Sequence, residues 1–415
     1  MALQTRFVAD SPSDTDAWIR AAFTGFLNPP AIPQESLDQR RARQDFSRAR
    51  GTFDGDRCVA TFRSFDQRLT VVGGGTIAAN AISGVTVTAT HRRRGLLSRM
   101  MRDDLAEARE RGDVAATLIA AEYPIYGRFG FGPATSFVDW KVNGLRTGLD
   151  PRWSLPESEG SLAFVDGAEV RKVGPDLHER FRLGQPGAID RKALFWERET
   201  GEVRFAPDPW EEPFHVLHRD AAGVPQGLVT FTTNDDWEAG MPNNTATVRD
   251  LFATSPDAER ALWRFLLSVD WVSTVSAVCA APDSVLPSML PNRRAAAVAR
   301  SADFLWLRPL DLPKLLGART YATEGELVLD VRDPLGLTQG RYLLSAAREG
   351  GEARPTTREP DLTLGTGALG QLYLGEVTAA RLLASGELSE DSERAAARAD
   401  LLFHTGRRPW CPDIF

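Results

Sequence analysis

The chain has 415 residues, of which 42% are hydrophobic and 25% are charged, and its net charge is −7 at pH 7. This composition excludes a disordered protein, and the length predicts two or three domains that each bury a core. The negative charge argues against a general nucleic-acid binder, and the lack of a long apolar run argues against insertion into a membrane.

The cysteines and histidines do not indicate a disulfide framework or a metal centre. Cys58, Cys279 and Cys411 are odd in number and far apart in sequence. His215 and His218 lie close together, but no second pair of ligands accompanies them, so we predict that no metal is bound. The N-terminus lacks the charged and apolar regions of a signal peptide, and this use of cysteine suits a reducing compartment. We therefore predict a cytoplasmic protein.

The first third of the chain alternates strand and helix patterns. A short strand pattern precedes an amphipathic helix with Ser11 as its cap, and a charged helical stretch is predicted to end at Gly51. Strand patterns then flank a glycine hairpin at 73–75. Apolar residues recur at helical spacing over 96–112, and a buried strand follows at 113–122. The order β-β-β-α-β predicts an α+β sheet with a crossover helix.

The middle third, roughly residues 151–300, repeats part of this order. In both copies a strand is followed by an Ala-Thr pair, a short loop and a helix with an apolar face, so that Ala89 corresponds to Ala253. The second copy has Ser-Pro-Asp-Ala-Glu-Arg where the first copy has arginines and Gly95. We interpret the middle third as a duplicate that lost its anion-binding loop.

The last third, from about Ser301, differs in character from the first two. It begins with the run LWLRP and continues with two strand patterns on either side of an Asp-Pro-Leu-Gly turn. A further strand pattern, DLTL, precedes apolar helical stretches, the last of which ends at Phe403. We predict that these elements form a third α+β domain.

The most informative segment, residues 85–98, joins a predicted strand to the amphipathic helix through a short basic turn. The first N–H groups of a helix lack internal partners, and the helix dipole favours an anion there. Gly95 permits a close backbone approach, and three arginines beside it add positive charge. Because arginines at a helix start oppose the dipole unless an anion is bound, we favour a pyrophosphate site over a solvated basic turn.

A second glycine pattern, Gly365-Thr-Gly367-Ala-Leu-Gly370, matches the GxGxxG fingerprint of dinucleotide-binding loops. A helix after it would be cut by Gly375 within one or two turns, and no clear βαβ unit surrounds it. We therefore interpret this pattern as a tight turn and not as a cofactor loop.

The basic turn resembles motif A of the GCN5-related N-acetyltransferase (GNAT) superfamily, whose pattern is Q/R-x-x-G-x-G/A. Residues 92–97 fit this pattern except at the end, where Leu97 replaces a small residue. The run EYPIYGRFGF at 122–131 resembles the Y-x-x-F-G-F element of the same superfamily. Over essentially all 415 residues the chain resembles the Eis (enhanced intracellular survival) family, in THRRRGLL, EYPIYGRFGF, DLTLGTGALGQLYLG and the Pro-Trp-Cys…Phe end.

This resemblance implies an α+β fold of tandem GNAT domains, the second degenerate, followed by a sterol-carrier-protein-like α+β domain. The predicted segments are an active GNAT domain at 1–150, a degenerate one at 151–300, and a last domain at 301–415 with a catalytic C-terminus. Family members acetylate amines of aminoglycosides, often at several positions, and assemble as homohexamers. The resemblance thus implies acetyl-CoA as co-substrate without a metal, a cationic amine such as an aminoglycoside as substrate, and a homo-oligomer.

The resemblance also assigns residues to the acetyl-CoA site. The strand at 85–87 would present backbone groups to the pantetheine and thioester, and the Val87 N–H would polarise the acetyl carbonyl. The basic turn would hold the pyrophosphate, and the next strand would splay to admit the pantetheine. The residues implied to bind acetyl-CoA are Val85, Thr86, Val87, Arg93, Arg94, Gly95, Leu96, Leu97, Ser98, Ala121 and Glu122.

Tyr126 is implied as the general acid. A phenol with an ordinary pKa near 10 is a suitable proton donor to the departing thiolate of CoA. From the residues alone, YPIYGRFGF is also an ordinary aromatic packing cluster, and Tyr123 is an alternative acid.

The general base is implied to be the C-terminal carboxylate, here that of Phe415. A free α-carboxylate has an ordinary pKa of about 3.5, and removal from water raises it, so that it can take a proton through a bound water. Trp410 and Ile414 would help to anchor the carboxylate in a pocket of the first domain. The alternative is a hydrophobic tail that docks only for stability. Asp413 is a candidate contact for the substrate cation.

Direct transfer in a ternary complex is predicted because no cysteine lies near either motif to carry the acetyl group. Two other functions stay open on the sequence alone. A protein-lysine or polyamine N-acetyltransferase would use the same chemistry on another amine. A non-catalytic lipid-binding or scaffold protein would use only the last domain, and the intact basic turn argues against it.

Overall fold

The computed structural model describes residues 3–29, 31–149 and 160–415 of the chain. The first third alternates strands and helices in the predicted β-β-β-α-β order. In chain order its elements are β1 (Gln4–Phe7), α1 (Pro12–Gly25), α2 (Gln34–Arg43), β2 (Ala49–Asp54), β3 (Arg57–Thr70), β4 (Thr76–Val87), α3 (Leu96–Arg111), β5 (Ala115–Ile119), α4 (Tyr123–Tyr126), β6 (Gly132–Pro133) and β7 (Ser136–Asn143).

Local signals place most of these boundaries correctly. The side chain of Ser11 caps α1 by accepting a hydrogen bond from the backbone N–H of Asp14, and Gly112 ends α3 at a φ of +91°. The charged helix predicted to end at Gly51 is wrong, because α2 stops earlier and Gly51 lies inside β2. β2 hydrogen-bonds to β1 on one side and to β3 on the other, and this pairing outweighs the helical charge pattern.

The middle third repeats the strand–helix order around a second sheet. Its elements are β8 (Gly160–Val165), α5 (Gly167–Leu183), α6 (Ala193–Glu199), β9 (Phe214–Asp220), β10 (Pro225–Thr233), β11 (Trp237–Glu238), β12 (Met241–Pro242), β13 (Asn244–Ala253), α7 (Pro256–Leu267), β14 (Val272–Ala280), α8 (Leu286–Met289) and β15 (Ala296–Asp303). The step from β13 through an Ala-Thr pair to α7 matches the step from β4 to α3, as the sequence predicts.

The first strand of the last third belongs to the first sheet, and the remaining strands form a smaller sheet. Its elements are β16 (Leu305–Pro309), α9 (Leu312–Gly317), β17 (Gly325–Arg332), β18 (Gly340–Ala347), β19 (Gly350–Pro355), β20 (Leu362–Gly365), α10 (Thr366–Tyr373), α11 (Ala379–Ser385), β21 (Leu388–Glu390) and α12 (Ala395–Phe403). The predicted β17–β18 hairpin is confirmed. The tight turn predicted within the GxGxxG pattern is wrong, because α10 begins at Thr366.

Three mixed sheets organise the molecule. The first sheet has the strand order β1-β2-β3-β4-β5-β16-β6, the second β15-β7-β14-β13-β10-β9-β8, and the third β19-β18-β17-β20-β21. β7 therefore leaves the first third to join the second sheet, and β16 leaves the last third to lie between β5 and β6. Sheet membership crosses the segment boundaries at residues 150 and 300, which stay predictions. Among the helices of the described ranges, none combines the length and the apolar character needed to cross a membrane.

Helix α10 lies directly against the edge of the first sheet through its glycines. A Cβ on Gly367 would come within 2.7 Å of the Phe131 carbonyl oxygen, and one on Gly370 within 2.5 Å of the Leu307 carbonyl oxygen. The opposing Gly132 on β6 leaves no room for a Cβ either. The GxGxxG pattern is thus a site of close backbone contact between the last third and the first sheet, next to the EYPIYGRFGF run.

The last twelve residues, here called the C-terminal tail (residues 404–415), run across the second sheet to the first. The backbone N–H of Trp410 donates to the Pro186 carbonyl at 2.9 Å, and its indole donates to the Cys279 carbonyl at 2.8 Å. The ring of Phe415 lies edge-on to the ring of Phe65 on β3, with the centroids 6.0 Å apart. The tail thus reaches the sheet that carries the basic turn.

Candidate active site

A wedge opens in the first sheet between β4 and β5. These strands pair in parallel only as far as Ile82 and Leu118, and then they separate. At the same level β4 shifts its register against β3 through a bulge that contains Gly84, whose φ is +61°. A bulge bends the strand and increases its twist, so β4 turns away from β5 and leaves its end unpaired on that side.

The backbone of Val87 directs a donor into this wedge. The N–H of Thr88 donates to the Val59 carbonyl on β3 at 2.8 Å. Successive N–H groups of an extended strand point to opposite sides, so the N–H of Val87 points away from β3 and towards the gap before β5. The N–H of Val87 therefore points into the wedge, where no described strand provides an acceptor.

The turn before α3 holds its backbone in strained conformations. Arg93 has a φ of +64° and Gly95 a φ of +74°, both in the left-handed region. Glycine adopts this region freely, but for arginine it costs about 1–3 kcal/mol, and such strain clusters at binding sites. Gly95 caps α3 without a side-chain hydrogen bond, and the first turn contains no acidic residue. The first N–H groups of a 16-residue helix are therefore open to an anion.

Three arginines surround this helix start without neutralising partners. Arg92, Arg93 and Arg94 are exposed, and within the described part of the chain none of their guanidinium groups forms an ion pair. His91 beside them is buried, and its Nε2 lies 3.4 Å from an Asp54 carboxylate oxygen. The turn therefore presents uncompensated positive charge to the wedge.

A cavity of about 390 Å³ connects the wedge, the basic turn and α4. It is lined by all eleven residues predicted to bind acetyl-CoA and by Tyr126. Six further residues that the sequence did not predict also line it, namely Gly25, Phe26, His91, Arg92, Ile125 and Arg128. Phe26 is 51% exposed just past the end of α1. A large apolar residue at the end of a helix is the only feature of the sequence that could have indicated this part of the cavity.

The two candidate acids lie in different surroundings. Tyr126 is 7% exposed, lines the cavity and contacts the Phe131 ring at a centroid distance of 6.4 Å. Burial, and to a smaller extent the Glu122 carboxylate, raise the pKa of Tyr126. Tyr123 is 60% exposed and does not line the cavity, and its ring lies against Trp306. The structure thus separates Tyr126 from its local competitor.

Phe415, the predicted base, is not among the residues that line this cavity. Its ring contacts Phe65, which pairs across the ladder with Ala81 on β4, a few residues before the wedge. The structure therefore brings the end of the chain to β3, the strand next to β4.

Asp413 does not contact the cavity, and its predicted role in holding a substrate cation is wrong. It is buried, and one carboxylate oxygen accepts a hydrogen bond from Arg191 Nε at 2.7 Å. The same guanidinium binds Asp250 on β13 through both terminal nitrogens. Burial raises the pKa of Asp413 to about 6, although the charge of Arg191 opposes that shift. A buried carboxylate that is paired with Arg191 and does not line the cavity is not placed to hold a substrate there.

Comparison with known proteins identifies the three parts of the chain. Residues 9–134 and 187–308 each match the acetyltransferase (GNAT) domain family, and residues 312–412 match the sterol carrier protein domain family. An uncharacterised N-acetyltransferase of Streptomyces avermitilis is 53% identical over 97% of both chains. The N-acetyltransferase Eis of Mycobacterium tuberculosis is 32% identical over 85% of both chains. The crystal structure of Eis1 from Mycobacterium abscessus covers 99% of this chain and is itself fully covered, with a TM-score of 0.86 and 30% identity.

These matches confirm the predicted fold of tandem GNAT domains followed by a sterol-carrier-like α+β domain. They also confirm that the protein is an enzyme, since its relatives are N-acetyltransferases, and GNAT enzymes use acetyl-CoA as the acetyl donor. The chain therefore belongs to the Eis-like N-acetyltransferases of the GNAT superfamily.

Proposed function

We propose that this enzyme transfers acetyl groups from acetyl-CoA to amines of a cationic small molecule such as an aminoglycoside, at more than one position. The observation that supports it most is the single cavity that joins the splayed β4, the basic turn and Tyr126. The net charge of −7 favours a cationic acceptor over an anionic one.

The residues of the cavity fit acetyl-CoA. Arg93, Arg94 and the open N–H groups from Leu96 onwards would hold the pyrophosphate, which needs positive charge and backbone donors. The pantetheine would lie between the separated strands, against Thr86 and Ala121. The remaining lining residues that we assign to the same ligand are Val85, Val87, Gly95, Leu97, Ser98 and Glu122.

The backbone of Val87 stabilises charge on the acetyl carbonyl. Its N–H points into the gap where β4 lacks a partner, and an unpaired amide in a water-poor cleft is an effective oxyanion donor. Because the donor belongs to a strand fixed by the sheet, it needs no reorganisation during the reaction.

Tyr126 donates its hydroxyl proton to the departing sulfur, and the Phe415 carboxylate accepts a proton from the attacking ammonium through a bound water. The raised pKa of Tyr126 keeps its hydroxyl protonated until CoA leaves. The tail supports the role of Phe415 by carrying it to β3, beside the strand that holds the acetyl group.

The transfer is direct and occurs while both substrates are bound. Cys58, Cys279 and Cys411 do not line the cavity, and burial raises the pKa of Cys58 to about 12. No described cysteine at the site is therefore available to carry the acetyl group.

A thiol-release assay with acetyl-CoA and a panel of amines tests this function. We expect the highest kcat/KM with kanamycin-like aminoglycosides, and mass spectrometry should detect products with more than one acetyl group. Higher kcat/KM with polyamines or lysine peptides would reassign the substrate. Acetyl-CoA binding without turnover on any amine would contradict the proposal.

We also propose that the enzyme assembles as a homohexamer. Trp237 and Trp271, which contact each other at a centroid distance of 5.6 Å, are both more than half exposed on the second domain, and an exposed aromatic pair of this kind favours self-association. Light scattering should give a mass near six chains, and a monomer at micromolar concentration would refute the assembly.

A further inference from the structure

The second sheet contains a counterpart of the wedge in the first sheet. β13 and β14 pair in parallel as far as Val248 and Ala277 and then separate. β13 also shifts its register against β10 at this level, leaving Arg249 without a partner in the ladder. The strands β10, β13 and β14 therefore correspond to β3, β4 and β5, and the bulge lies on the middle strand in both sheets. The second wedge opens between β13 and β14 as the first opens between β4 and β5.

The C-terminal tail fills this second wedge. Trp410 is 5% exposed, and its indole N–H satisfies the Cys279 carbonyl at the diverging end of β14. Pro412 and Arg407 line what space remains, which is only about 40 Å³, against about 390 Å³ in the first domain. The peptide chain thus occupies the position that the first domain leaves open.

The helix beyond the second wedge cannot attract an anion as α3 does. Ser255 caps α7 with its own side chain, which accepts from the Ala258 N–H, and Asp257 and Glu259 lie in the first turn. These groups neutralise the helix dipole from within the chain. The second wedge is therefore suited to a peptide and not to a pyrophosphate.

Arg191 connects the tail to the wall of this wedge. Its Nε donates to Asp413 at 2.7 Å, and its Nη1 and Nη2 donate to Asp250 at 2.7 and 3.1 Å. The guanidinium lies 4.2 Å from the centroid of the Phe195 ring and is almost completely buried. One planar fork thus bridges β13 and the tail in fixed geometry.

Beyond this bridge apolar packing holds the end of the chain, because the partly buried Phe415 side chain packs against the core. Ile414 is 79% exposed, and the Phe415 ring makes one edge-on aromatic contact, with Phe65. The Arg191–Asp413 hydrogen bond lies two residues from the terminus and is the nearest buried polar contact of a tail side chain. This bond is therefore the polar contact best placed to fix the position of the last carboxylate.

We propose that the second domain uses its wedge as a socket for the chain's own C-terminal tail, and that Arg191 is the positioning residue that sets the place of Phe415. The proposal rests on the proposed role of the Phe415 carboxylate as the base. A former cofactor cleft in the second domain thereby serves the reaction in the first.

Two variants of the full-length chain test this proposal. Asp413→Asn keeps the shape of the side chain but removes the negative charge that pairs with Arg191. Arg191→Lys keeps the positive charge but cannot bridge both carboxylates. We expect kcat to fall by roughly tenfold or more in each, because small displacements of a reacting group are costly. The KM for acetyl-CoA should stay within about twofold, because the donor cavity is untouched.

Carboxypeptidase A, which removes C-terminal aromatic residues, gives a second readout, because it reports how often the end of the chain leaves its docked position. At 25 °C, phenylalanine release should be about tenfold faster in both variants than in the unsubstituted enzyme, because opening of the tail limits cleavage. Glu376→Gln is the matched control, since it removes the 2.6 Å ion pair of Arg408 at the other end of the tail. It should leave kcat and phenylalanine release unchanged.

The outcomes separate this proposal from the proposed function. If residues appended after Phe415 leave turnover intact, the proposed base is wrong, and the positioning role falls with it. If the appended residues abolish turnover but Asp413→Asn and Arg191→Lys retain full kcat, only the positioning role is overturned. Faster phenylalanine release with unchanged kcat overturns it as well.

Discussion

Tyr123 and Tyr126 lie three residues apart on α4, yet only Tyr126 lines the cavity. Tyr126 is buried against the cavity, whereas Tyr123 packs on Trp306 at the surface. Burial raises the pKa of the Tyr126 hydroxyl above its ordinary value, so the hydroxyl is protonated at neutral pH. A weak acid in this position suits protonation of a thiolate, which forms only late in the reaction.

Tyr126→Phe removes this donor with little change in shape. We expect kcat to fall by about 10²–10⁴, the usual contribution of a general acid, with the KM for acetyl-CoA unchanged. Tyr123→Phe is the control and should behave as the unsubstituted enzyme. Steady-state kinetics decides the matter, and equal effects of both substitutions would contradict the assignment.

The pH dependence of kcat gives the same residue a separate test. Because the folded pKa of Tyr126 is raised, the protonated donor persists as pH increases, and its loss should reduce kcat only above pH 10. An alkaline decrease centred at pH 8–9 that disappears in Tyr126→Phe would show that the pKa is lowered and contradict this expectation.

The terminal carboxylate is tested without disturbing the tail by appending two glycines after Phe415. The added peptide converts the carboxylate into an amide, so we expect turnover to fall by at least about 10², while acetyl-CoA binding measured by calorimetry is retained. Phe415→Leu keeps a carboxylate on an apolar residue and should keep turnover. Loss of activity in Phe415→Leu alone would point to the ring and not to the carboxylate.

At the scale of elements, the contact between α10 and the first sheet explains the GxGxxG pattern. Gly367 and Gly370 approach backbone carbonyl oxygens of the first sheet too closely for a side chain, whereas Gly365 has open space around it. The contact supports the strand edge beside Phe131, whose ring touches Tyr126. The last domain thereby contributes to the shape of the cavity in the first.

Gly367→Ala places a methyl group against the Phe131 carbonyl and should destabilise the protein by about 1–3 kcal/mol, as overpacking does. Gly365→Ala adds the same group in open space at a φ of −76°, so it should change stability by less than about 0.5 kcal/mol. Thermal unfolding of the two variants makes the comparison. Equal unfolding temperatures for the two variants would show that α10 can move away from the first sheet without loss of stability.

What the sequence predicts well at this scale is local. Ser11, Gly112 and the basic turn each act through neighbours within a few residues, so their roles are visible in the printed sequence. The insertion of β16 and the Arg191–Asp413 bond join residues far apart in the chain, and no periodicity encodes such pairing. The tail illustrates both cases, because its apolar composition predicts burial but does not reveal that it enters the second domain.

At the scale of the whole molecule, the buried Asp413 joins the C-terminal tail to Arg191 and the second sheet, and its titration should be measurable. The folded pKa of Asp413, about 6, lies above its ordinary value of 3.8. Its contribution to stability is therefore complete below pH 4 and is lost as pH rises to 6. The pH dependence that Asp14 contributes to stability has the opposite sign, because its hydrogen bonds to Arg6 lower its pKa.

We expect the free energy of unfolding of the unsubstituted enzyme, relative to Asp413→Asn, to decrease between pH 4 and pH 6 and then to level off. Relative to Asp14→Asn, it should instead decrease as pH falls below 4. Denaturant unfolding at a series of pH values measures both differences. A flat difference curve for Asp413→Asn would show that this carboxyl titrates normally.

During synthesis on the ribosome, β5 emerges long before its neighbour in the sheet exists. One edge of β5 pairs with β4, but the other pairs with β16, and β6 reaches the sheet only through β16. At roughly 5–20 residues per second, the ribosome needs about 10–40 s to pass from Ile119 to Leu305. One edge of β5 therefore stays unpaired until the last third of the protein is synthesised. During this time the edge can pair with strands of other chains.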